Sequence, residues 1–161
     1  KNKGKLVTDN GIGHYTDSIH YELEQTSRLM NMLTNQLFKK LELNISLDEY
    51  ITLDTVSVNA GICQRDLAKL ILKDRANTGR ILNELERKGF ITRFIDTKNN
   101  RLVKKMGITE TGLQELNSIN NKIKTYLSGV TKRIPPEDMQ RVQTVLKEFR
   151  FELEKVVETN I

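Results

Sequence analysis

Apolar residues recur at every third or fourth position over one long stretch near the start of the chain, from about Tyr15 to Leu43. No Pro or Gly interrupts the stretch, so the spacing predicts a single amphipathic helix. At 1.5 Å per residue, such a helix spans about 40 Å. Because that length exceeds what a small domain covers, we expect the helix to pack along a partner. A buried core helix would explain the apolar stripe but not the length.

Three shorter helices are predicted in the middle of the chain. Ser46 precedes the first and is followed three residues later by a Glu, which is a capping-box pattern. The second helix begins at Cys63. Asp74 can cap the third, which we expect to run from Arg75 to Lys88, and Gly89 can end it.

Two short runs of β-favouring residues follow, 90–96 and 102–108, with polar residues between them. They predict a β-hairpin with a basic tip and with Gly107 as a bulge in its second strand. Thr109 and the pair Pro135–Pro136 then introduce two more long amphipathic helices. The expected fold class is therefore mainly α with a small β-hairpin.

The positive charge of the chain is concentrated in this middle region. The net charge is +5, and residues 63–107 hold 12 Lys or Arg against five Asp or Glu. Residues 14–62 hold three against seven. A basic segment of this kind suits contact with a polyanion on one face. It also fits a solvated basic face that binds nothing.

Composition argues against several classes of protein. One cysteine and two histidines provide neither a disulfide nor the ligand set of a structural zinc. No apolar run approaches the roughly 18 residues of a membrane span, and no signal peptide follows the basic start, so we expect a cytoplasmic protein without membrane contact. No nucleophile elbow or phosphate loop is present, so we expect no enzyme, no cofactor and no metal.

The helices before the hairpin have the order and spacing of a helix-turn-helix followed by a wing. The second helix of such a pair can enter the major groove of DNA, while a basic hairpin reaches phosphates or the minor groove. The residues expected to read bases are Arg75, Ala76, Asn77, Thr78 and Arg80. Those expected to contact the DNA backbone are Lys69, Lys73, Lys98, Arg101, Lys104 and Lys105. The alternative is that all of these side chains only face solvent.

The same region resembles the multiple antibiotic resistance regulator (MarR) family of winged helix-turn-helix transcription regulators. Residues 45–50 look like the family's entry to its second helix, and residues 62–68 resemble its Leu-Thr-Gln-x-Glu-Leu-Ala motif. Residues 74–91 are similar to its recognition helix and following strand, and residues 108–112 to its Leu-Thr-x-x-Gly motif. With the flanking long helices, the resemblance covers nearly the whole chain after its first 13 residues.

The resemblance implies a homodimer that carries two winged heads to the halves of a pseudo-palindromic site on double-stranded DNA. Members act more often as repressors than as activators, and many release DNA when a small aromatic acid or phenol binds. The implied division is a flexible arm at 1–13, a dimerisation helix at 14–44, a winged helix-turn-helix head at 45–108 and C-terminal dimerisation helices at 109–161. The apolar stripes of the three long helices support a dimer independently, since one small head cannot cover them.

The chain departs from the family pattern at three places. The wing keeps Arg101 but has Asn99 where the family usually has Asp, which predicts a looser wing. Gly79 lies inside the recognition helix, where the family commonly has Ser or Thr, and lowers the stability of that helix by about 1 kcal/mol relative to Ala. It either permits close approach to the DNA backbone or has no role. Cys63 stands at a helix cap where the family usually has Thr.

Signal sensing leaves several readings open. The candidates for an effector pocket are four polar residues near the expected hinge: His14, His20, Arg28 and Tyr50. The plainer reading of each is an ordinary surface or core residue. A thiol at a helix N-terminus beside Arg65 can become a reactive thiolate, so a redox switch through Cys63 is one alternative and an inert small side chain is the other. A winged-helix module that binds another protein is a further alternative, against which the basic middle segment argues.

Overall fold

The computed structural model describes residues 13–98 and 100–157, apart from the side chain of Lys98. Within these residues the chain forms six α-helices, a turn of 3-10 helix and a two-stranded antiparallel sheet. The elements are α1 (Ile19–Lys40), α2 (Leu47–Val58), α3 (Gln64–Leu70), α4 (Arg75–Arg87), β1 (Ile91–Lys98), β2 (Arg101–Ile108), α5 (Glu110–Thr131) and α6 (Pro136–Val156). The predicted winged-helix fold is confirmed. We call α2 to β2 the winged head.

Contacts within the chain divide it into two compact units, one up to Leu47 and the other from Asp48 onward. The finer division predicted from the sequence stays a prediction, and almost all of the expected arm at 1–13 lies outside the described residues. No helix of the described residues is long and apolar enough to cross a membrane.

The first long helix starts later than its periodicity predicts. Ser18 has an extended backbone, and its hydroxyl accepts a hydrogen bond from the backbone N of Tyr21 at 3.2 Å, so α1 begins at Ile19. Residues Tyr15–Asp17 form a separate 3-10 turn. At the other end, Glu42 takes a positive φ of 51°, and the chain leaves the helix there. The predicted bounds of 15 and 43 are therefore wrong by a few residues at each end, because local caps override a continuous apolar stripe.

The winged head has a core of apolar side chains. Elements α2, α3, α4, both strands and the first half of α5 all contribute to it. The largest side chains with less than 2% exposure include Leu53, Val56, Leu67, Ile81, Leu82, Leu85, Ile91, Met106 and Ile119. The core therefore fixes the position of α4 from one side and leaves its opposite side to solvent.

Helix α4 has the predicted caps. The carboxylate of Asp74 accepts a hydrogen bond from the backbone N of Asn77 at 2.8 Å. Backbone and side-chain hydrogen bonds from Asn77 lower the pKa of the Asp74 carboxyl. Gly89, with a φ of 75°, ends the segment as predicted, one residue after the C-cap Lys88. Side chains rarely adopt this conformation, which explains the glycine.

The hairpin is regular, and the predicted bulge at Gly107 is wrong. Gly107 pairs with Thr92, and the register runs without a break from Ile91 opposite Ile108 to Lys98 opposite Arg101. Both strands have eight residues, so no extra residue needs to be accommodated.

A short segment before α3 joins the sheet. The backbone N of Met106 donates to the carbonyl of Ile62 at 3.0 Å, and the backbone N of Gly61 donates to the carbonyl of Met106 at 3.2 Å. Cys63 forms a β-bridge with Lys105. The wing is therefore attached to the start of α3 and does not extend freely from the head.

The joint between the head and α5 requires a glycine. The hydroxyl of Thr109 accepts from the backbone N of Gly112 at 3.0 Å and donates to the carbonyl of Gly89 at 2.6 Å. A Cβ on Gly112 would lie 2.1 Å from the carbonyl oxygen of Phe90. No side chain fits at that distance, which gives the Leu-Thr-x-x-Gly resemblance a steric reason.

Candidate nucleic-acid interface

The solvent side of α4 presents exposed polar and cationic side chains. Arg75, Ala76, Asn77 and Arg80 are exposed on its first turns. Within the described residues, neither Arg75 nor Arg80 has an ion-pair or hydrogen-bond partner for its guanidinium. The side-chain amide of Asn77 donates to the carboxylate of Asp74 at 2.6 Å, so it must exchange this bond to reach a base.

The prediction that Thr78 reads bases is wrong. Its side chain is fully buried, and its hydroxyl donates to the backbone carbonyl of Asp74 at 2.8 Å. Thr78 lies three and four residues before Ile81 and Leu82 and therefore shares the core face of α4. Four of the five predicted base-reading residues remain accessible.

Helix α3 and the wing also present exposed cations. Lys69, Arg101 and Lys104 are exposed and have no ion-pair partner among the residues the structure describes. A cleft of about 510 Å³ separates the start of α3 from β2, and it is lined by Cys63, Gln64, Arg65, Asp66, Arg101, Val103 and Lys104. Arg65 was not predicted as a DNA contact. Its proximity to the wing depends on the bridge between Cys63 and Lys105, which no local pattern reveals.

Two of the predicted backbone contacts are already paired with carboxylates. The ammonium of Lys73 lies 3.1 Å from a carboxylate oxygen of Asp48, and that of Lys105 lies 2.5 Å from one of Asp96. The Lys105 ammonium, with a backbone hydrogen bond from Thr97, lowers the pKa of the Asp96 carboxyl. These lysines share their charge with the protein and are weaker candidates than the unpaired cations. The side chain of Lys98 lies outside the described residues.

Known proteins have a similar sequence and fold. Residues 45–103 match the model of the MarR family. A curated relative, the uncharacterized HTH-type transcriptional regulator YybA of Bacillus subtilis (strain 168), is 28% identical over 138 residues, which are 83% of this chain and 87% of that protein. The crystal structure of the transcriptional regulator SlyA is 26% identical, with a TM-score of 0.72, over 86% of this chain and 95% of that one. The chain is thus similar to regulators of the MarR family, and the family model matches its winged head.

A further MarR-like structure, that of S. aureus MepR in complex with DNA, has a TM-score of 0.68 over 87% of this chain and 99% of that one. At 20% identity, this likeness shows the fold. The family and the curated relative are transcriptional regulators. In these comparisons the chain is similar to transcriptional regulators and not to enzymes, as the sequence predicted.

The residues predicted for a MarR-type effector pocket fall in both units. His14, His20 and Arg28 belong to the first unit, where Arg28 donates to the carboxylate of Glu24 at 2.5 Å. Tyr50 belongs to the second, and its hydroxyl donates to the side-chain oxygen of Asn120 at 2.7 Å. Burial, and then the Asp54 carboxylate, raise the pKa of Tyr50. The pocket assignment stays a prediction.

Cys63 occupies the predicted N-cap position of α3 but makes no side-chain cap bond. Its thiol is half-buried and donates to a carboxylate oxygen of Asp66 at 3.1 Å. Within the described residues, no hydrogen bond joins Arg65 to the sulfur. The redox hypothesis therefore gains no geometric support and stays a prediction.

Proposed function

We propose that this chain is a MarR-family regulator, a sequence-specific DNA-binding repressor that acts as a homodimer on a pseudo-palindromic operator. The observation that carries the proposal is a set of three exposed arginines, Arg75 and Arg80 on α4 and Arg101 on β2, which have no ion-pair partner among the described residues, together with a side of α4 that the core leaves exposed. Guanidinium groups on fixed elements suit bases and phosphates when, as among the residues described here, no carboxylate competes for them.

Base reading is assigned to the exposed residues of α4. Arg75 and Arg80 can each bond a guanine in bidentate fashion, Asn77 can bond an adenine, and the methyl group of Ala76 can contact that of a thymine. Each bidentate pair contributes about 1 to 3 kcal/mol of discrimination. Thr78 is removed from this set because its side chain lies in the core.

Phosphate contacts are assigned first to Lys69, Arg101 and Lys104, and to Arg65 in addition. Lys73, Lys98 and Lys105 keep their predicted role as contacts to the DNA backbone, and we rank them second. Each phosphate neutralised releases counterions, so the logarithm of the association constant should fall by about 0.9 per contact for each logarithmic unit of salt.

The partner of the exposed apolar faces is proposed to be a second copy of the chain. Helix α6 has no buried residue, although Met139, Val142, Leu146 and Leu153 recur along it at helical spacing. A groove of about 930 Å³ lies between the end of α5 and α6. A homodimer that covers these faces would place half-sites about one helical turn, 10 to 10.5 base pairs, apart.

Repression and release by a small aromatic or phenolic effector are extended to this chain from the family resemblance. His14, His20, Arg28 and Tyr50 remain the proposed effector residues. A screen of such acids and phenols for loss of DNA binding tests this part. Alanine variants of the first three, with Tyr50→Phe, should reduce the response if the assignment is right.

The experiment for the main proposal is selection of bound duplexes from a random pool at two salt concentrations, followed by sequencing. We expect a two-fold symmetric motif and steep salt dependence. Replacing both Arg75 and Arg80 with Ala should abolish the motif, whereas Arg133→Ala, an exposed arginine after α5, should retain it. Salt-sensitive binding without a motif would contradict sequence specificity, and absence of binding would favour the protein-interaction module.

A further inference from the structure

Three consecutive residues at the start of α2 bind the segments on either side of α4 and also bind α5. Asp48 pairs with Lys73, just before the Asp74 cap of α4, at 3.1 Å. Glu49 pairs with Lys88, the C-cap residue of α4, at 2.7 Å. As described above, the Tyr50 hydroxyl donates to a side chain of α5. One turn of α2 therefore contacts both ends of the recognition helix and the helix that leaves the head.

The pair of Glu49 and Lys88 differs from the other ion pairs of the head. Its side chains are only 11% and 10% exposed, whereas those of Asp48 and Lys73 are 42% and 38% exposed. Burying two charges removes their hydration, and apolar residues of similar volume commonly stabilise a fold as well or better. Two apolar side chains at these positions would therefore stabilise the head at least as well as the ion pair does. What distinguishes the ion pair from an apolar contact is its fixed geometry, because the ammonium and the carboxylate must meet at one distance and angle.

That geometry is coupled to the base-reading residues through the length of α4. The 13 residues of α4 span about 20 Å, so a tilt of about 10° at the C-terminal end would displace the first turn by about 3 Å. A hydrogen bond to a base edge tolerates only a few tenths of an ångström. A small change in the orientation of α4 at Lys88 therefore displaces Arg75 and Asn77 by more than a base contact tolerates.

We propose that Glu49 and Lys88 are positioning residues for DNA reading: their ion pair fixes the C-terminal end of α4 on α2, and the Tyr50–Asn120 hydrogen bond fixes α2 on α5. The first turn of α4 is then presented in one orientation. This inference rests on the proposed function, since it concerns how the same helix discriminates between sequences.

The test compares specific with random DNA in variants of unchanged net charge. Glu49→Leu combined with Lys88→Leu removes the fixed geometry of the ion pair but keeps an apolar contact between α2 and α4. We expect its preference for the selected operator over random duplex to fall by at least about tenfold, comparable with the loss of one base contact, while its affinity for random duplex stays within about twofold. Exchanging the charges, Glu49→Lys with Lys88→Glu, restores a pair and should recover most of the preference.

The matched control is the exposed pair of Glu84 and Arg87 on α4 itself. Glu84→Gln with Arg87→Gln also keeps net charge and should leave the preference unchanged. Tyr50→Phe removes only a hydroxyl and should lower the preference by about threefold, which keeps the test decisive if the leucine pair fails to fold.

The outcomes separate the two proposals. The folded variants that lack the ion pair or the hydroxyl could keep the wild-type preference for the operator. That result would overturn the positioning role and leave the proposed function intact. A wild-type protein that prefers no sequence would overturn both. A lower preference in the variants, with an unchanged unfolding midpoint in the leucine pair, supports the inference, because a purely structural role would change stability instead.

Discussion

The winged head and helix α6 use similar apolar patterns in opposite ways. In the head, Leu53, Leu67, Leu82 and Leu85 are completely buried by elements of the same chain. Along α6 no residue is buried, and Phe151 and Val156 are 59% and 75% exposed. Helical periodicity therefore identifies a face that must be covered, but it does not tell whether the cover comes from the same chain.

The comparison also separates two kinds of surface. The head closes its core and leaves on the outside cations that have no ion-pair partner in the described part of the chain, which suits a polyanion. Helix α6 has nine charged residues of both signs and leaves its apolar face open, which suits another protein surface. In our proposal, DNA binds the cations of the head, and a second copy of the chain covers the apolar face of α6. The predictions below test that difference.

The largest effect is expected at the joint that connects the two regions. Gly112→Ala should lower the free energy of unfolding by about 3 kcal/mol or more, because its Cβ would overlap the carbonyl of Phe90 and force the backbone to move. Chemical denaturation measures the change. Gly129→Ala, also within α5 but with no atom near its Cβ, is the control and should be neutral or slightly stabilising. Equal effects of the two changes would contradict the steric account.

Two leucine truncations compare the regions directly. Leu53→Ala should lower the free energy of unfolding by about 2 to 5 kcal/mol, because a fully buried side chain leaves a cavity. This loss should not depend on protein concentration. Leu153→Ala, on the half-exposed face of α6, should instead raise the dimer dissociation constant.

Denaturation at two protein concentrations, with sedimentation equilibrium, distinguishes these cases. The assignment of α6 to a dimer interface would be wrong if Leu153→Ala left the oligomeric state unchanged.

A smaller effect is expected where the head holds one of its own cations. Asp48→Asn releases Lys73 for a phosphate, so affinity for random duplex should rise a few-fold, with a salt slope steeper by about 0.9. Asp138→Asn, an exposed acid on the first turn of α6, changes net charge equally and should have less effect. Fluorescence anisotropy at several salt concentrations measures both. An equal rise in the two variants would show that net charge alone is responsible.

The smallest effect is expected at Gly79. Its Cβ position lies 3.3 Å from the side-chain nitrogen of Gln64 and not on the open face of α4, so the structure favours a contact with α3 over close approach to DNA. Gly79→Ala should raise the free energy of unfolding by somewhat less than about 1 kcal/mol, because better helix propensity outweighs a small shift of Gln64. DNA affinity should not change. Weaker DNA binding by a folded variant would restore the DNA role for this glycine.

The sequence predicted correctly those features of α4 that depend only on neighbouring residues. The cap at Asp74 and the stop at Gly89 need only neighbouring residues, and both are present. The start of α1 was misplaced because the cap at Ser18 interrupts a stripe that looks continuous in sequence. Thr78 was misassigned because it is polar, although its position on α4 is that of a core residue.

Long-range pairing could not be predicted. The sequence indicates Glu49 as a capping residue, and nothing local predicts that its carboxylate binds Lys88, 39 residues away. Two cations differ from their predicted roles for the same reason. Lys73 was predicted as a DNA contact but pairs with Asp48, whereas Arg65 was not predicted and lines the cleft beside the wing. Such contacts depend on which helices meet, and that is set by the core as a whole.

The most direct test of the account measures how many chains bind the selected operator and one isolated half-site of it. Mass photometry or sedimentation with labelled duplexes gives the stoichiometry, and titration gives the affinity. We predict two chains on the full site and much weaker binding to the half-site, because one head supplies only half of the contacts. A single chain that binds the half-site as tightly as the full site would contradict the account.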